Sequence, residues 1–190
     1  SLMNEAIGFK ISDYLTKPVN PSQVLLVCKK ILEGKKIKGE FAAKDYLQDF
    51  NEISHQMLQS LDSDEWIEIY LKLVNWDLEL DVHPEIGLRQ TFIDQKREAN
   101  KEFSKFIENN YRNWINATND YDKPTLTVDI LNTYVVEEVK NNDNVFFFVL
   151  DCLRLDQWLV MEKHLTDFFK IDKSYYYSIL PTATPYARNS

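Results

Sequence analysis

The sequence predicts a mainly α protein: a central helical bundle, with a strand and helix before it and a strand–helix–strand unit after it. Three observations predict this. Apolar residues recur at helical spacing through most of the middle of the chain, the pattern of a helix with one buried face. A continuous apolar run, Val145-Phe-Phe-Phe-Val-Leu150, and a short, mostly apolar one, Tyr175-Tyr-Tyr-Ser-Ile-Leu180, break that period near the end. Only four Gly and six Pro occur in 190 residues, so long flexible linkers are not expected between the pieces. The expected divisions are 1–38, 39–140 and 141–190.

In the first region, Ile11-Ser-Asp-Tyr-Leu15 reads as a brief strand, followed by Thr16-Lys-Pro-Val-Asn-Pro21. Pro21 suits the first turn of a helix, because its fixed φ is already helical and its missing N–H has no partner there anyway. Val24, Leu25, Cys28, Ile31 and Leu32 continue at helical spacing, and Gly34 with Lys35 and Lys36 is expected to end that helix.

The second region is helix after helix. Tyr46, Leu47, Phe50, Ile53, Met57, Leu58 and Leu61 make one stripe. Asp62-Ser-Asp-Glu65 places a capping side chain three residues before an acid, the capping-box arrangement. Trp66, Ile67, Tyr70, Leu73, Val74, Trp76 and Leu80 follow as a wider face. After the break at Asp81-Val-His-Pro84, a long helix carries Leu88, Phe92, Ala99, Phe103, Phe106, Ile107 and Trp114. Charged residues such as Lys96, Arg97 and Glu98 form its solvated face. Val128, Leu131, Tyr134, Val135 and Val139 mark a further helix. Three amphipathic helices joined by short loops normally form an antiparallel bundle.

In the third region the run 145–150 reads as a strand covered on both faces. Leu155, Trp158, Leu159, Met161, Leu165 and Phe168 form a helix, and 175–180 a second strand. Strand, helix, strand in so short a span is a βαβ unit with parallel strands.

The formal net charge of −8 argues against a general electrostatic grip on nucleic acid, although a local basic pocket for a phosphate is compatible with it. Cys28 and Cys152, far apart in sequence, read as buried free thiols in a reducing compartment. The longest apolar runs fall far short of the ~20 residues that span a bilayer. No basic-then-apolar leader opens the chain, so a cytoplasmic protein with no membrane association is expected.

Open α/β sheets bind ligands outside the carboxyl ends of their strands. Asp151 and the segment Thr182-Ala-Thr184 both fall there. Asp151 offers hard oxygen to a divalent cation. Thr184, followed by Pro185, fits a helix N-cap whose next amides, on Tyr186 and Ala187, would face a phosphate. A threonine hydroxyl is a weak nucleophile unless a metal or base stands beside it. Spacing alone leaves a plainer option open: an Asp before a helix is more often a cap than a ligand, and Thr-Pro is ordinary capping chemistry. Arg154 and Arg188 are candidate phosphate clamps, with pairing to acids such as Asp156 as the alternative. His55, His83 and His164 do not cluster.

The motifs Val149-Leu-Asp-Cys-Leu-Arg-Leu-Asp-Gln-Trp158 and Ser178-Ile-Leu-Pro-Thr-Ala-Thr-Pro-Tyr-Ala-Arg-Asn189 closely resemble the opening motifs of PglZ domains, in the alkaline phosphatase superfamily. That resemblance implies a metal ligand at Asp151 and a metal-bound nucleophile at Thr184. The related pyrophosphatases place their nucleophile at the second Thr of a Pro-Thr-x-Thr word, so the resemblance favours Thr184 over Thr182. Gly8-Phe-Lys-Ile-Ser-Asp-Tyr-Leu-Thr-Lys-Pro18 resembles the end of a response-regulator receiver domain, in which a Lys like Lys17 contacts the phosphoryl group and the bond to a Pro like Pro18 is usually cis. Residues 21–33 would then be the receiver's last helix. The fold implied is a helical bundle between a receiver remnant and an alkaline-phosphatase-like α/β piece.

A receiver end, a helical middle and a PglZ opening together resemble PorX-type response regulators. The resemblance implies a two-component regulator whose output is a metal-dependent phosphodiesterase or phosphatase, with zinc or another divalent cation and an oligonucleotide or other phosphodiester as substrate. It implies a histidine kinase as partner, and protein partners of a secretion pathway or a transcription regulator, in control of type IX secretion or gliding. A homodimer is compatible with it. The receiver's phosphoacceptor Asp and the superfamily's second ligand set would lie outside these 190 residues, so the chain is expected to be an inactive piece of a longer protein. The competing expectation is a signalling adaptor whose PglZ part is a pseudoenzyme.

Overall fold

Pro21 stands at the first position of helix α1 (Pro21–Gln56), where its fixed backbone angle favours the helix. The computed structural model of the chain describes residues 21–84, 87–117, 123–141 and 144–187. The expected strand at 11–15 lies outside them. Gly34 does not end the first helix. It costs about 1 kcal/mol relative to Ala in a helix interior, but it forbids nothing, and the chain continues helical to Gln56. Position 38/39, the expected boundary between the first two regions, therefore falls inside one helix of 36 residues.

The front of α1 leaves Leu25, Leu26, Leu32 and Phe41 exposed, while Ala42 and Tyr46 further along are buried. Tyr46 and Ile53 are fully buried, while Leu47 and Leu58 of the same predicted stripe are exposed. Leu58 lies beyond the helix end, so the helical stripe no longer governs where it points. Helix α2 (Ser63–Val82) starts at the predicted capping box. Asp62 Oδ1 accepts from the amides of Asp64 and Glu65 at 2.9 Å each, and Glu65 Oε2 accepts from the Asp62 amide at 2.8 Å. Gly87, at φ 71°, makes the turn into helix α3 (Arg89–Asn116), a left-handed conformation that a Cβ would strain.

Long-range polar contacts fix the helix directions. Glu52 pairs with Lys72 at 2.7 Å and Asp49 accepts from Trp76 Nε1 at 2.8 Å, so α1 and α2 run antiparallel. Asp77 binds both Arg89 and Lys96 at 2.7 Å, while Trp66 lies edge-on to Phe103, so α2 and α3 are antiparallel as well. The core between them joins Tyr46, Ile53, Trp66, Ile69, Leu73, Leu80, Phe92 and Ala99. Full burial of a side chain such as Ile53 or Phe92 is worth about 1.5–3 kcal/mol. Gln95 is buried in this core: its amide donates to the Phe50 carbonyl at 2.9 Å, and its oxygen accepts from the Tyr46 hydroxyl at 3.4 Å.

The predicted helix around Val128–Val139 becomes three short pieces: a 3-10 turn (Thr127–Asp129), a π turn (Leu131–Val135) and helix α4 (Val136–Asn141). None of the three buries a residue. Helix α5 (Leu155–Leu165) packs on α2, and the four-residue α6 (Thr184–Ala187) ends the described chain.

The expected βαβ pairing is not formed among the described residues. Residues 144–150 form no regular element, with the Phe146 and Phe148 rings stacked at 6.5 Å and both largely exposed. An apolar run becomes a strand only when a neighbouring backbone supplies hydrogen-bond partners, and this one makes no ladder with a described segment. Of 175–180, Tyr177 alone enters a ladder contact, a parallel bridge to Leu126. Both cysteines, expected to be buried, are exposed free thiols, because the segments carrying them lie outside the packed cores.

Candidate functional site: the Asp151–Thr184 pair

Residues 176–182 lie along the bundle and are tied to it by backbone and side-chain hydrogen bonds. The Tyr177 amide donates to the Thr125 carbonyl at 2.9 Å, and the Thr127 amide to the Tyr177 carbonyl at 3.0 Å. The Tyr177 ring packs among Phe103 and Trp114, with centroids 6.2 and 5.1 Å away. Its hydroxyl donates to the Ser63 carbonyl at 2.7 Å. Burial, with the nearby charges of Asp64 and Asp62, pushes that phenol well above its ordinary pKa. The Ile179 amide donates to Thr127 Oγ1 at 3.2 Å, and the Leu180 amide to the Tyr111 hydroxyl at 2.6 Å. The Leu180–Pro181 peptide is cis.

Asp129 sets the other side of this seam. It accepts from Lys123 Nζ and from the Leu126 amide at 2.8 and 2.9 Å. Burial raises its carboxyl pKa, but the Lys123 and Leu126 hydrogen bonds and the Lys123 charge outweigh that and hold it below the usual carboxylate range. An apolar cavity of about 360 Å³ opens between α2, α3 and the seam, lined in part by Trp66, Phe103, Trp114, Tyr176, Leu180 and Thr182.

From this seam the chain reaches Thr184. Its Oγ1 stands 3.2 Å from Asp151 Oδ2 and 3.5 Å from Oδ1, so the hydroxyl donates to the carboxylate. The two residues that sequence placed at successive strand ends therefore meet, 33 positions apart, without a sheet between them. Asp151 is exposed and Thr184 half-buried. Asp151 does not cap α5: that helix begins at Leu155 with Arg154 in the capping position, and the Arg154 amide donates to Gln157 Oε1 at 3.1 Å. Cys152, beside Asp151, has φ 60°, a left-handed angle uncommon for a residue with a Cβ.

The expected anion cradle at Thr184 is not formed. The helix starts one residue earlier than expected, and the Tyr186 and Ala187 amides both donate to the Ala183 carbonyl, at 2.9 and 3.0 Å. Arg154 forms a two-point ion pair with Asp156, Nε to Oδ1 at 2.9 Å and a terminal nitrogen to Oδ2 at 2.8 Å. That hydrogen bond, with the opposite charge, raises the Arg154 pKa and lowers that of Asp156. Lys17, Pro18 and Arg188 lie outside the described residues. Among the described residues no group of three or more His, Cys, Asp or Glu stands close enough to hold a metal. No described helix is long and apolar enough to cross a membrane.

Sequence reasoning missed Tyr111, Tyr177 and Ser63 as partners in the seam. Tyr111 had a legible signal, since it falls between Ile107 and Trp114 on one helix stripe. The Ser63 carbonyl had none.

No curated protein matches the chain. Residues 36–115 match the family described as the PorX response regulator linker domain. The matched span runs from within α1 through α2 to the end of α3, so it is the three-helix bundle itself, whereas the sequence motifs pointing the same way lie at the two ends. The match supports a PorX-type response regulator as the protein to which this linker segment belongs.

Proposed function

We propose that this chain joins a receiver to a metal-dependent phosphodiesterase or phosphatase output of the PglZ kind, in a cytoplasmic response regulator that governs secretion or gliding. The observation that carries the reading is the contact of Thr184 Oγ1 with Asp151, at 3.2 and 3.5 Å from its two oxygens. Zinc binds carboxylate oxygen at about 2.0–2.2 Å, so two oxygens on one tetrahedral ion stand roughly 3.3–3.6 Å apart. The 3.5 Å separation from Oδ1 falls in that range and supports a shared cation, while Oδ2 at 3.2 Å stands at hydrogen-bond distance. These two donors fit part of a ligand set, since zinc prefers four ligands. The rest must come from residues not among those described, and the described chain alone is proposed to be inactive.

When bound, the cation would supply charge stabilisation at the transferring phosphoryl oxygens. Asp151 would hold the Thr184 hydroxyl by the hydrogen bond seen here and orient Oγ1 toward phosphorus. Oγ1 would form the new bond to phosphorus as the ester oxygen leaves, the hydroxyl proton passing by way of Asp151 to the departing oxygen, and water would then cleave the Thr184–phosphoryl bond to restore the hydroxyl. A histidine kinase acting on a complete receiver would supply the input, and the uninterrupted helix α1 supports a mechanical path from that receiver into the bundle.

The test is hydrolysis of a nitrophenyl phosphodiester, with zinc added, by the full-length regulator and its Thr184→Ala variant. Loss of at least about a hundredfold in kcat is expected, as for removal of a nucleophile. Unchanged hydrolysis, or unchanged zinc content in Asp151→Asn, overturns the reading.

A further inference from the structure

We propose that Tyr111, on linker helix α3, is a positioning residue for Thr184. The proposal rests on the hydrolase reading above and assigns that site a support within the bundle. The Leu180 amide donates to the Tyr111 hydroxyl at 2.6 Å. Of the hydrogen bonds that tie 177–180 to the bundle, this one lies nearest in sequence to Thr184.

Little freedom separates the two points. Only Pro181, Thr182 and Ala183 intervene. Pro181 has its φ locked by its ring, and the Ala183 carbonyl is already held by two amides of the following turn. A displacement at Leu180 is therefore carried forward to Oγ1 rather than absorbed. The anchor is itself rigid: the Tyr111 ring packs against the cluster of Trp114, Leu126 and Tyr177. Nucleophile placement is sensitive to such support, since an error of about 1 Å can cost two orders of magnitude in rate. Tyr111 touches no reacting atom in this arrangement; it acts through the backbone of the segment that ends in Thr184.

The experiment compares Tyr111→Phe, which keeps the ring and removes the acceptor, with Thr127→Ala, which removes the acceptor of the neighbouring Ile179 amide. Both are made in the full-length regulator. Amide hydrogen exchange is read at 177–180, and kcat and KM are measured on a nitrophenyl phosphodiester with zinc. Y111F is expected to speed Leu180 exchange by about tenfold, the scale of one lost hydrogen bond, and to leave the Tyr177 amide protected. It is expected to lower kcat about tenfold with KM within about twofold, whereas T127A changes kcat less than about twofold.

Unchanged Leu180 exchange in Y111F overturns the proposal, as does faster exchange with unchanged kcat. Equal loss of kcat in both variants also overturns it, because general loosening then explains the effect. Full hydrolysis by Thr184→Ala sinks the hydrolase reading and the role of Tyr111 with it. A dead T184A beside a normal Y111F sinks the Tyr111 proposal alone.

Discussion

The hydroxyl of Tyr177 donates a hydrogen bond to the carbonyl oxygen of Ser63 at 2.7 Å. Ser63 opens α2, and its carbonyl oxygen, with two lone pairs, can accept the Tyr177 hydroxyl as well as a helical amide; Tyr177 lies 114 residues further along. That single contact locks the tail of the chain onto the start of the second helix. With the Phe103 and Trp114 rings around it, Tyr177 joins the linker bundle to the segment that carries Thr184.

Replacing Tyr177 by Phe is expected to cost about 1 kcal/mol in urea unfolding, the net worth of one hydrogen bond. Replacing it by Ala is expected to cost about 3–5 kcal/mol, because a buried ring is removed. Equal midpoints for Tyr177→Phe and the parent would show that the hydroxyl contact adds nothing.

Gln95 is a polar group in an apolar core. Changing it to Leu keeps the approximate size but removes the donor to the Phe50 carbonyl and the acceptor of the Tyr46 hydroxyl. A loss of about 1–3 kcal/mol is expected, since the Tyr46 hydroxyl is left buried without that acceptor. The double variant with Tyr46→Phe should recover part of it, and a thermodynamic cycle on the two positions measures how much.

Burial pushes the Tyr46 phenol up to about 12. The folded state therefore holds that proton more tightly than the unfolded chain, whose tyrosines titrate near about 10. The stability tied to it is complete below about pH 10 and is lost as pH rises from there toward about 12. Tyr46→Phe should flatten this alkaline decline when unfolding free energy is followed against pH. An unchanged slope counts against the assignment.

Asp62→Ala removes the acceptor of the Asp64 and Glu65 amides at the start of α2. About 1 kcal/mol of stability should go with it, and Asp62→Asn should retain most of that. Thermal unfolding monitored by circular dichroism at neutral pH distinguishes the two.

Acidification should act through Asp77. Burial raises its carboxyl, but the hydrogen bond and charge of Lys96, followed by those of Arg89, outweigh this and leave it below the ordinary range. The folded state therefore binds this proton more weakly, and its contribution is present above about pH 3.9 and fades as pH falls through the lower folded value. The gap between the parent and Asp77→Asn, about 1 kcal/mol at neutral pH for a partly exposed pair, should close in acid. A gap that persists in acid would assign the loss to packing instead.

Local pattern sufficed for features that depend on neighbours in sequence. Asp62 and Glu65 cap a helix because their amides and carboxylates lie within one turn of each other. Pro21 starts α1 because its ring fixes the backbone before any tertiary contact forms. The stripes through Tyr46, Trp66 and Phe92 show which faces turn inward, since helical periodicity is set by the backbone alone. Gly34 was misleading for the converse reason: it weakens a helix by little, and nothing in its own chemistry stops one. Packing settled the rest. Whether 145–150 becomes a strand depends on a neighbouring backbone, and whether Cys28 and Cys152 are covered depends on what lies against them. Asp151 and Thr184 were recognisable as a pair of oxygen donors, but their meeting depends on tertiary contacts such as those of Tyr177 and Tyr111, which hold the chain leading to Thr184. Hydrogen bonds spanning tens of residues form only once the bundle has brought their partners together, and no periodicity along the chain records them.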